Sequence, residues 1–491
     1  MQVDPHLSQF RGSGKSGIYD PLSRPSAMAN FSEITLKRNG KGYLLDDRFI
    51  YIKNREANNI LYLKCHSWRT CSAKAKIQNG QAIITAAAHN HDLPDSVSLD
   101  FRSKVLSAAK NPTNARLSLG EIYHNTYLTE FRDQPAAAVA NSVPSLSTLR
   151  STMSAARSSY LPPAPTSLAE IDSAYLLQNC KTSNGYSFLL ACSLPTEADR
   201  FFIFANTGYF ERISECKELF LDGTFWTVPG IFAQLVTIHG EILGQVLPLV
   251  YILLPRMLQA GYEKMWESLK AVLQIHNLNL NGVETVICDF EPAALAAIRV
   301  CLPHVKIRGC FFHFAQAIYR NIDQTAYRNE PAYREKIRLI IALGHVPAVE
   351  KMLAIQDLRP ILAQDPRVIY FFDDYFNRNW ITGRPLDLWD WHNVEKRTNN
   401  HCEGYHSALK RFFKIPHLSM YKFAFVLLDS EKAVEKNFYN RLAGNPLPPV
   451  NADYARVAEN ISRLHAELSN RERTYVDFLR GISYNVPEMR N

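Results

Sequence analysis

The order of apolar and polar residues divides this chain into stretches of different period. Residues 34–96 carry short, strand-like runs: GYLL, RFIYIK, NILYLKC, AKAKIQ and QAIITAA. Turn pairs such as Asn39-Gly40 and Asn79-Gly80 punctuate them, which predicts a small β module. Residues 97–160 change to spaced apolar positions in three segments, each opening near Ser, Thr or Pro, the pattern of three short helices. The Pro-rich stretch 161–167, LPPAPTS, reads as a linker. Residues 1–33 mix Gly, Ser and Pro with few large apolar side chains and read as a tail.

From residue 168 to 315, apolar strands alternate with helices. ELFLDGTFW, FAQLVTIHG and GQVLPLVYILL read as three successive strands, GYEKMWESLKAVLQIHN as an amphipathic helix, and ETVICDF, PAALAAIRVCL and VKIRGCFF as strand, helix and strand. A β-β-β-α-β-α-β order predicts an α/β unit with a mixed sheet whose first three strands form a meander. Residues 316–392 are helical in pattern, 393–429 contain a further helix starting near Asn400, and 430–491 are helical without distinctive chemistry.

Composition narrows the function classes. At 46% hydrophobic residues the chain can bury sizeable cores. The most apolar run, Val246–Leu254, is nine residues long and contains a proline, far short of the ~20 that a membrane-spanning helix needs. No membrane partner is expected. Nine cysteines scattered along the chain, with no export signal at its start, fit a reducing intracellular compartment better than a disulfide framework. The net charge of +8 is unevenly placed: residues 1–160 hold 20 Lys+Arg against 12 Asp+Glu, and residues 161–491 hold 35 of each. A basic first third joined to a neutral body points to a polyanion-binding part tethered to something else.

Within the β module, Cys65-x5-Cys71 and His89-x-His91 supply two thiolates and two imidazoles, the ligand set of a closed tetrahedral zinc site. On an extended segment, His-x-His puts both rings on one side. Metal binding would also contribute folding energy that so small a core lacks. The plain alternative is two ordinary cysteines and a polar loop. Phe49, Tyr51, Tyr62-Leu63-Lys64-Cys65, Cys71-Ser72-Ala73-Lys74 and His89-Asn90-His91 resemble a FLYWCH zinc finger. Leu63 stands where that family has tryptophan. The resemblance implies a structural Zn2+ and binding to DNA, with Lys64, Arg69, Lys74 and Lys76 as phosphate contacts, unless they merely form a solvated face.

Three acidic residues sit where an α/β sheet exposes side chains. Asp222 lies in or at the end of the first strand, Asp289 at the end of the strand TVICD, and Glu403 in the first turn of a helix. Three converging carboxylates suit a pair of hard cations. Each also has a plain reading: Asp222-Gly223 as a hairpin turn, Asp289 as a helix cap, and Asn400-x-x-Glu403 as a capping box. The blocks LDGTFWTVPG, TVICDFEPAALAAI, Cys310-Phe311-Phe312-His313 and TNNHCEGYHSAL look like those of a Mutator-like element (MULE) transposase. That resemblance implies an RNase H-like fold with a helical insertion, catalytic Asp222, Asp289 and Glu403, and Mg2+ or Mn2+ as cofactor. Cys310 and His313 match the family's Cys-x2-His; two residues alone do not complete a zinc site, so they are expected to support the active-site structure or position DNA rather than to bind metal. His406 and Lys410 share a helix face with Glu403, as supporting groups or as a polar stripe.

The leading expectation is therefore a nuclear DNA transposase that binds terminal inverted repeats and target DNA as double strands, forms a homo-oligomer on DNA, and catalyses phosphodiester hydrolysis and strand transfer. The alternative is a host-retained, transposase-derived DNA-binding or chromatin factor without catalysis. The helical segment 97–160, with Arg116, Arg132, Arg150 and Arg157, fits a helix-turn-helix-like role or an oligomerisation role equally.

Overall fold

The alternating runs of the N-terminal third become strands whose neighbours in space are mostly their neighbours in sequence. A computed structural model describes residues 28–486, except 37–39, 47, 68, 87, 94, 112–113, 115–116, 136–141, 399, 448 and 450. Most of the expected tail, Asn39 of the first turn pair and Arg116 thus lie outside the described residues. The chain divides into two compact units at residues 160 and 161.

In the first unit, β1 (Met28–Ala29), β2 (Phe31–Thr35), β3 (Lys41–Leu45), β4 (Ile50–Ala57), β5 (Ile60–Cys65), β6 (Lys74–Gln78) and β7 (Gln81–Ala86) form one antiparallel sheet in the order β1-β7-β6-β5-β4-β3-β2. Asn58-Asn59 and Asn79-Gly80 adopt positive φ and close two of its hairpins, the conformation that two-residue turns need. The segment 28–33 is not tail: β1 pairs with the distant β7, and β2 with β3. Alternation sends Tyr43, Leu45, Tyr51, Leu63, Ala75 and Ala82 to one buried face. Leu63, where the family has tryptophan, is 1% exposed and fills the core.

Three helices follow, Ser96–Lys110, Leu119–Phe131 and Leu146–Ser158, started by side-chain caps from Asp95, Ser118 and Ser145. Ser118 and Glu121 form a full capping box. Phe101, Val105, Ile122, Leu149 and Met153 make their shared core. Buried Arg102 donates to the Leu36 carbonyl at 3.1 Å, joining helices and sheet within the unit. Arg157 is half-buried and donates to the Leu117 carbonyl at 2.7 Å, so it braces the helices; Arg132 and Arg150 are exposed.

The second unit is a mixed sheet covered by helices. Its strands are β8 (Leu189–Cys192), β9 (Phe202–Phe204), β10 (Glu218–Thr224), β11 (Gln234–Ile242), β12 (Gln245–Leu254), β13 (Thr285–Cys288) and β14 (Lys306–Gly309), in the order β14-β13-β10-β11-β12-β9-β8. β10, β11 and β12 form the expected meander, while β13 and β14 join parallel to β10. The short β8 and β9 extend the far edge. β12 reads as a nearly continuous apolar run because it is buried on both faces. Its Pro248, which lacks an N–H, sits where the register with β11 slips between Ile238 and His239.

The helices Gln259–Ile275 and Pro292–Cys301 connect β12 to β13 and β13 to β14 and bury Trp266, Leu269, Ala297 and Ile298 against the sheet. Helix Phe311–Arg320 crosses the expected boundary at 315/316, and helix Met420–Leu442 crosses that at 429/430, because both helices continue apolar stripes through those points. The helices between residues 324 and 389 share a second core with the C-terminal helices Ala452–Ser469 and Tyr475–Asn485, through Ile461, Leu464, Phe478 and Leu479. The C-terminal region thus shares the core of the expected insertion. Among the described residues no helix is long and apolar enough to cross a membrane.

Candidate active site and metal centres

The parallel pairing of β10 with β13 builds the centre of the second unit. Phe220 is registered with Ile287, so two residues further on Asp222 comes level with Asp289 at the end of β13. Asp222 is in mid-strand and not in a turn. Asp289 accepts a hydrogen bond from the Glu291 N–H at 3.2 Å, while Glu291 holds the cap position of the next helix. The third acid arrives on helix Asn400–Phe413, anchored by Cys402 packing between Phe220 of β10 and Ile287 of β13. Glu403 is the next residue. The cap position of this helix, 399, lies outside the described residues, so the capping-box reading cannot be placed.

The charges sense one another. Burial first, and the Asp222 charge second, push Glu403 up to about 7. Burial likewise raises Asp289, with Asp222 adding to the rise and His313 opposing it. Asp222 is thus within electrostatic reach of both Asp289 and Glu403.

His406 also meets Asp222. It is 6% exposed, and its Nδ1 lies 3.1 Å from Asp222 Oδ2. Its Nε2 lies 2.9 Å from Thr237 Oγ1, which fixes the ring from the other side. The ring thus orients the Asp222 carboxylate. Lys410, further along the same helix, is exposed.

Cys310 ends the β13–β14 ladder, its N–H donating to the Cys288 carbonyl at 2.8 Å, and starts helix Phe311–Arg320. His313 is one turn on, with Nε2 3.9 Å from Glu403 Oε1. The ligand atoms of Cys310, His313 and Glu403 all lie within 4.8 Å of one another.

A cavity of about 310 Å³ opens beside Asp289 and His313. Its walls include Phe225, Met257, Glu291, Tyr375, Trp380 and Arg384, none of which the sequence singled out. Glu291 carried a faint signal, two residues after Asp289. Tyr262 donates to it at 2.7 Å, and burial holds its carboxyl above the usual range. Tyr375, Trp380 and Arg384 come from the insertion, and Arg384 lies 4.6 Å over the Trp380 ring.

In the first unit Cys65, Cys71, His89 and His91 form a tight group. Cys65 Sγ is 3.1 Å from His91 Nε2, Cys71 Sγ is 3.4 Å from His89 Nδ1, and the two imidazole nitrogens are 3.3 Å apart. A tetrahedral ion with bonds of ~2.0–2.3 Å needs ligand separations of this order. The outer nitrogens are also held: His89 Nε2 meets Tyr51 Oη at 2.9 Å, and His91 Nδ1–H donates to the Asp92 carbonyl at 3.0 Å. Phe49 stacks on His89 with centroids 3.5 Å apart. The donor set, its closure and its outer bonds fit Zn2+.

The basic residues lie on the opposite face of that sheet. Lys64 and Lys74 are cross-strand partners, Lys76 is two residues from Lys74, and Arg55 lies 4.6 Å over Tyr62 beside them. Arg69 is exposed in the loop between the two cysteines.

Residues 34–91 match the FLYWCH zinc finger domain, and residues 218–317 match the MULE transposase domain. No curated protein matches the chain. The second match takes in Asp222, Asp289, Cys310 and His313 and ends before the insertion and Glu403. The chain carries an N-terminal FLYWCH zinc finger followed by a MULE transposase domain.

Proposed function

We propose that this chain is a DDE-type DNA transposase that acts in the nucleus, with Asp222, Asp289 and Glu403 as its catalytic carboxylates. The reading is supported by the electrostatic reach of Asp222 to both Asp289 and Glu403, which come from two parallel strands and a distant helix, and by the match of the segment that holds the two aspartates to a transposase domain. The strand order β12-β11-β10-β13-β14, with a meander followed by two parallel strands, supports an RNase H-like sheet. The oxygen-rich donor set suits Mg2+ or Mn2+, and the mutual repulsion of the acids would be relieved by it. Bound there, the ions would activate the attacking oxygen and stabilise the leaving one.

The residues divide the remaining work. His406 and Thr237 hold the Asp222 carboxylate in one orientation. The cavity beside Asp289 admits the DNA flanking the scissile bond, and exposed Phe225 and Met257 offer it apolar contact. Water attacks phosphorus at the element end and the 3′ oxygen leaves as a 3′-OH. That hydroxyl then attacks a target phosphodiester, forming a new bond to phosphorus as the target's own P–O3′ bond breaks and its 3′ oxygen leaves as a hydroxyl, with no covalent enzyme intermediate. The finger tethers the chain to the terminal repeats through Lys64, Arg69, Lys74 and Lys76, and oligomerisation on DNA brings two ends together.

Asp222→Ala or Asp289→Ala is expected to abolish metal-dependent cleavage of the element's ends while leaving DNA affinity within about twofold, as read by gel shift on the same fragment. Retained Mg2+-dependent cleavage in both variants would remove the catalytic assignment and leave a DNA-binding protein.

A further inference from the structure

We propose that Cys310, His313 and Glu403 form a second zinc site, separate from the finger and sharing Glu403 with the carboxylate cluster. The ligand types are one thiolate, one imidazole and one carboxylate, a soft-to-borderline set that zinc accepts and magnesium does not. Cys310 and His313 are one helical turn apart at the start of helix Phe311–Arg320, so their side chains rise on the same face. The third ligand comes from helix Asn400–Phe413, which no spacing rule links to the other two.

One buried atom points to an occupant: Glu403 Oε1 has no hydrogen-bond partner, although it is shielded from solvent. A buried acceptor of that kind is costly unless something fills the space beside it. Glu403 Oε1 faces His313 Nε2 at 3.9 Å, against the roughly 3.3 Å edge of a tetrahedron with ~2.0 Å bonds. A closure of about half an ångström on that edge would bring the pair to ligand spacing, while the Cys310 Sγ already lies within 4.8 Å of both.

Cys310 caps the N-terminus of a ten-residue helix and is buried, so its thiol is held beside the first turn that carries His313. Coordination would replace the thiol proton, which is released to solvent. Three protein ligands leave a fourth position, and His313 also lines the cavity beside Asp289. Such an ion would hold Glu403 in place. It would also give the Cys-x2-His pair a role that two ligands alone could not fill.

The inference does not depend on the chain cutting DNA, and its test reads metal content. Full-length protein is dialysed against limiting Zn2+ in excess Mg2+, and bound zinc is measured by mass spectrometry. The wild type is expected to hold two zinc ions per chain. Cys310→Ser, His313→Ala and Cys71→Ser should each hold one. A wild type with a single zinc, kept by Cys310→Ser and lost by Cys71→Ser, overturns the proposal. Cobalt loading of the finger-null Cys65→Ala/Cys71→Ala chain gives an independent reading that does not rely on the folding of Cys310→Ser. A thiolate-to-cobalt charge-transfer band is expected there, and its absence also overturns the proposal.

Discussion

At the scale of single residues, the second unit's centre depends on backbone close to bulky rings. Gly309 ends β14 directly before Cys310, and a methyl group at its Cα would fall well inside contact distance of the Phe290 ring. Phe290 is not free to retreat: it packs edge-on against Trp380, with centroids 4.8 Å apart, and lines the cavity. Gly309→Ala should therefore behave as an overpacked site, costing about 1–3 kcal/mol. The strain falls between Asp289 and Cys310, so cleavage should fall further than the loss of folded protein explains. Chemical melts paired with cleavage assays at a temperature where the variant is fully folded check this. Equal melting of variant and wild type would show that Phe290 has room to move. The same scale explains what a sequence shows of a site. Asp222 and Asp289 are legible mainly through the resemblance of their blocks to a transposase, since carboxylates near strand ends are common, whereas the ligands Cys65, Cys71, His89 and His91 are legible because zinc needs a fixed set of donors. His406 was legible only as a neighbour of Glu403 on a helix face. Its contact with Asp222 depends on how that helix lies across β10, which the periodicity of neither element specifies.

At the scale of elements, periodicity located the finger strands, the helical trio and the meander, since each buries one face against near neighbours. It could not show that helices Ala452–Ser469 and Tyr475–Asn485 close the core of the insertion, because that pairing joins segments about a hundred residues apart. One consequence is a buried polar seam. His465, on the C-terminal helix, meets His345 of the insertion at 3.1 Å and packs beside His392, while Arg397 adds positive charge nearby. Lys351 is buried over Trp389 and donates to the carbonyls of Leu343 and Val346, with Asp390 as the acid that acts on it. Burial and then the neighbouring cations hold His465 down at about 3, and His345 is lowered in the same direction. Both rings are thus neutral in the folded state. Above pH 6.5 the unfolded chain is neutral there too, and the histidines carry no penalty. As pH falls from 6.5 toward 3, the unfolded chain takes up protons that the folded one refuses, and stability is lost. His465 alone should cost about 3 kcal/mol by pH 4. Lys351, lowered by burial to about 7, acts earlier: its loss accrues between pH 10.5 and 7 and is constant below. Urea melts followed by the fluorescence of Trp389 and Trp391, which lie in this core, should show the acid-side slope. His465→Leu should flatten it, and an unchanged slope in that variant would place the acid sensitivity elsewhere.

At the scale of the whole molecule, charge and architecture divide at the same place. All of the +8 excess belongs to residues 1–160, which form one compact unit, while the unit that holds the carboxylates is neutral. Affinity for DNA and chemistry on DNA make opposite electrostatic demands, because a strongly basic surface beside three acids would neutralise the site that needs cations. Placing the tether in a separate unit resolves the conflict. The finger's basic face gathers Lys64 and Lys74 as directly opposed residues on adjacent strands, with Lys76 two residues along. Each lysine that meets a phosphate releases a counterion and contributes about 0.9 to the slope of log affinity against log salt. Replacing Lys64, Lys74 and Lys76 together with alanine should make that slope shallower by about 2 to 3. Removing these side chains from a face opposite the zinc core should leave the metal bound, so zinc content serves as the folding control. Asp222→Ala, in the neutral unit, should leave the slope as it is. A triple variant with the wild-type slope and intact zinc would move the phosphate contacts to the helical trio, where exposed Arg132 and Arg150 are the next cations to test.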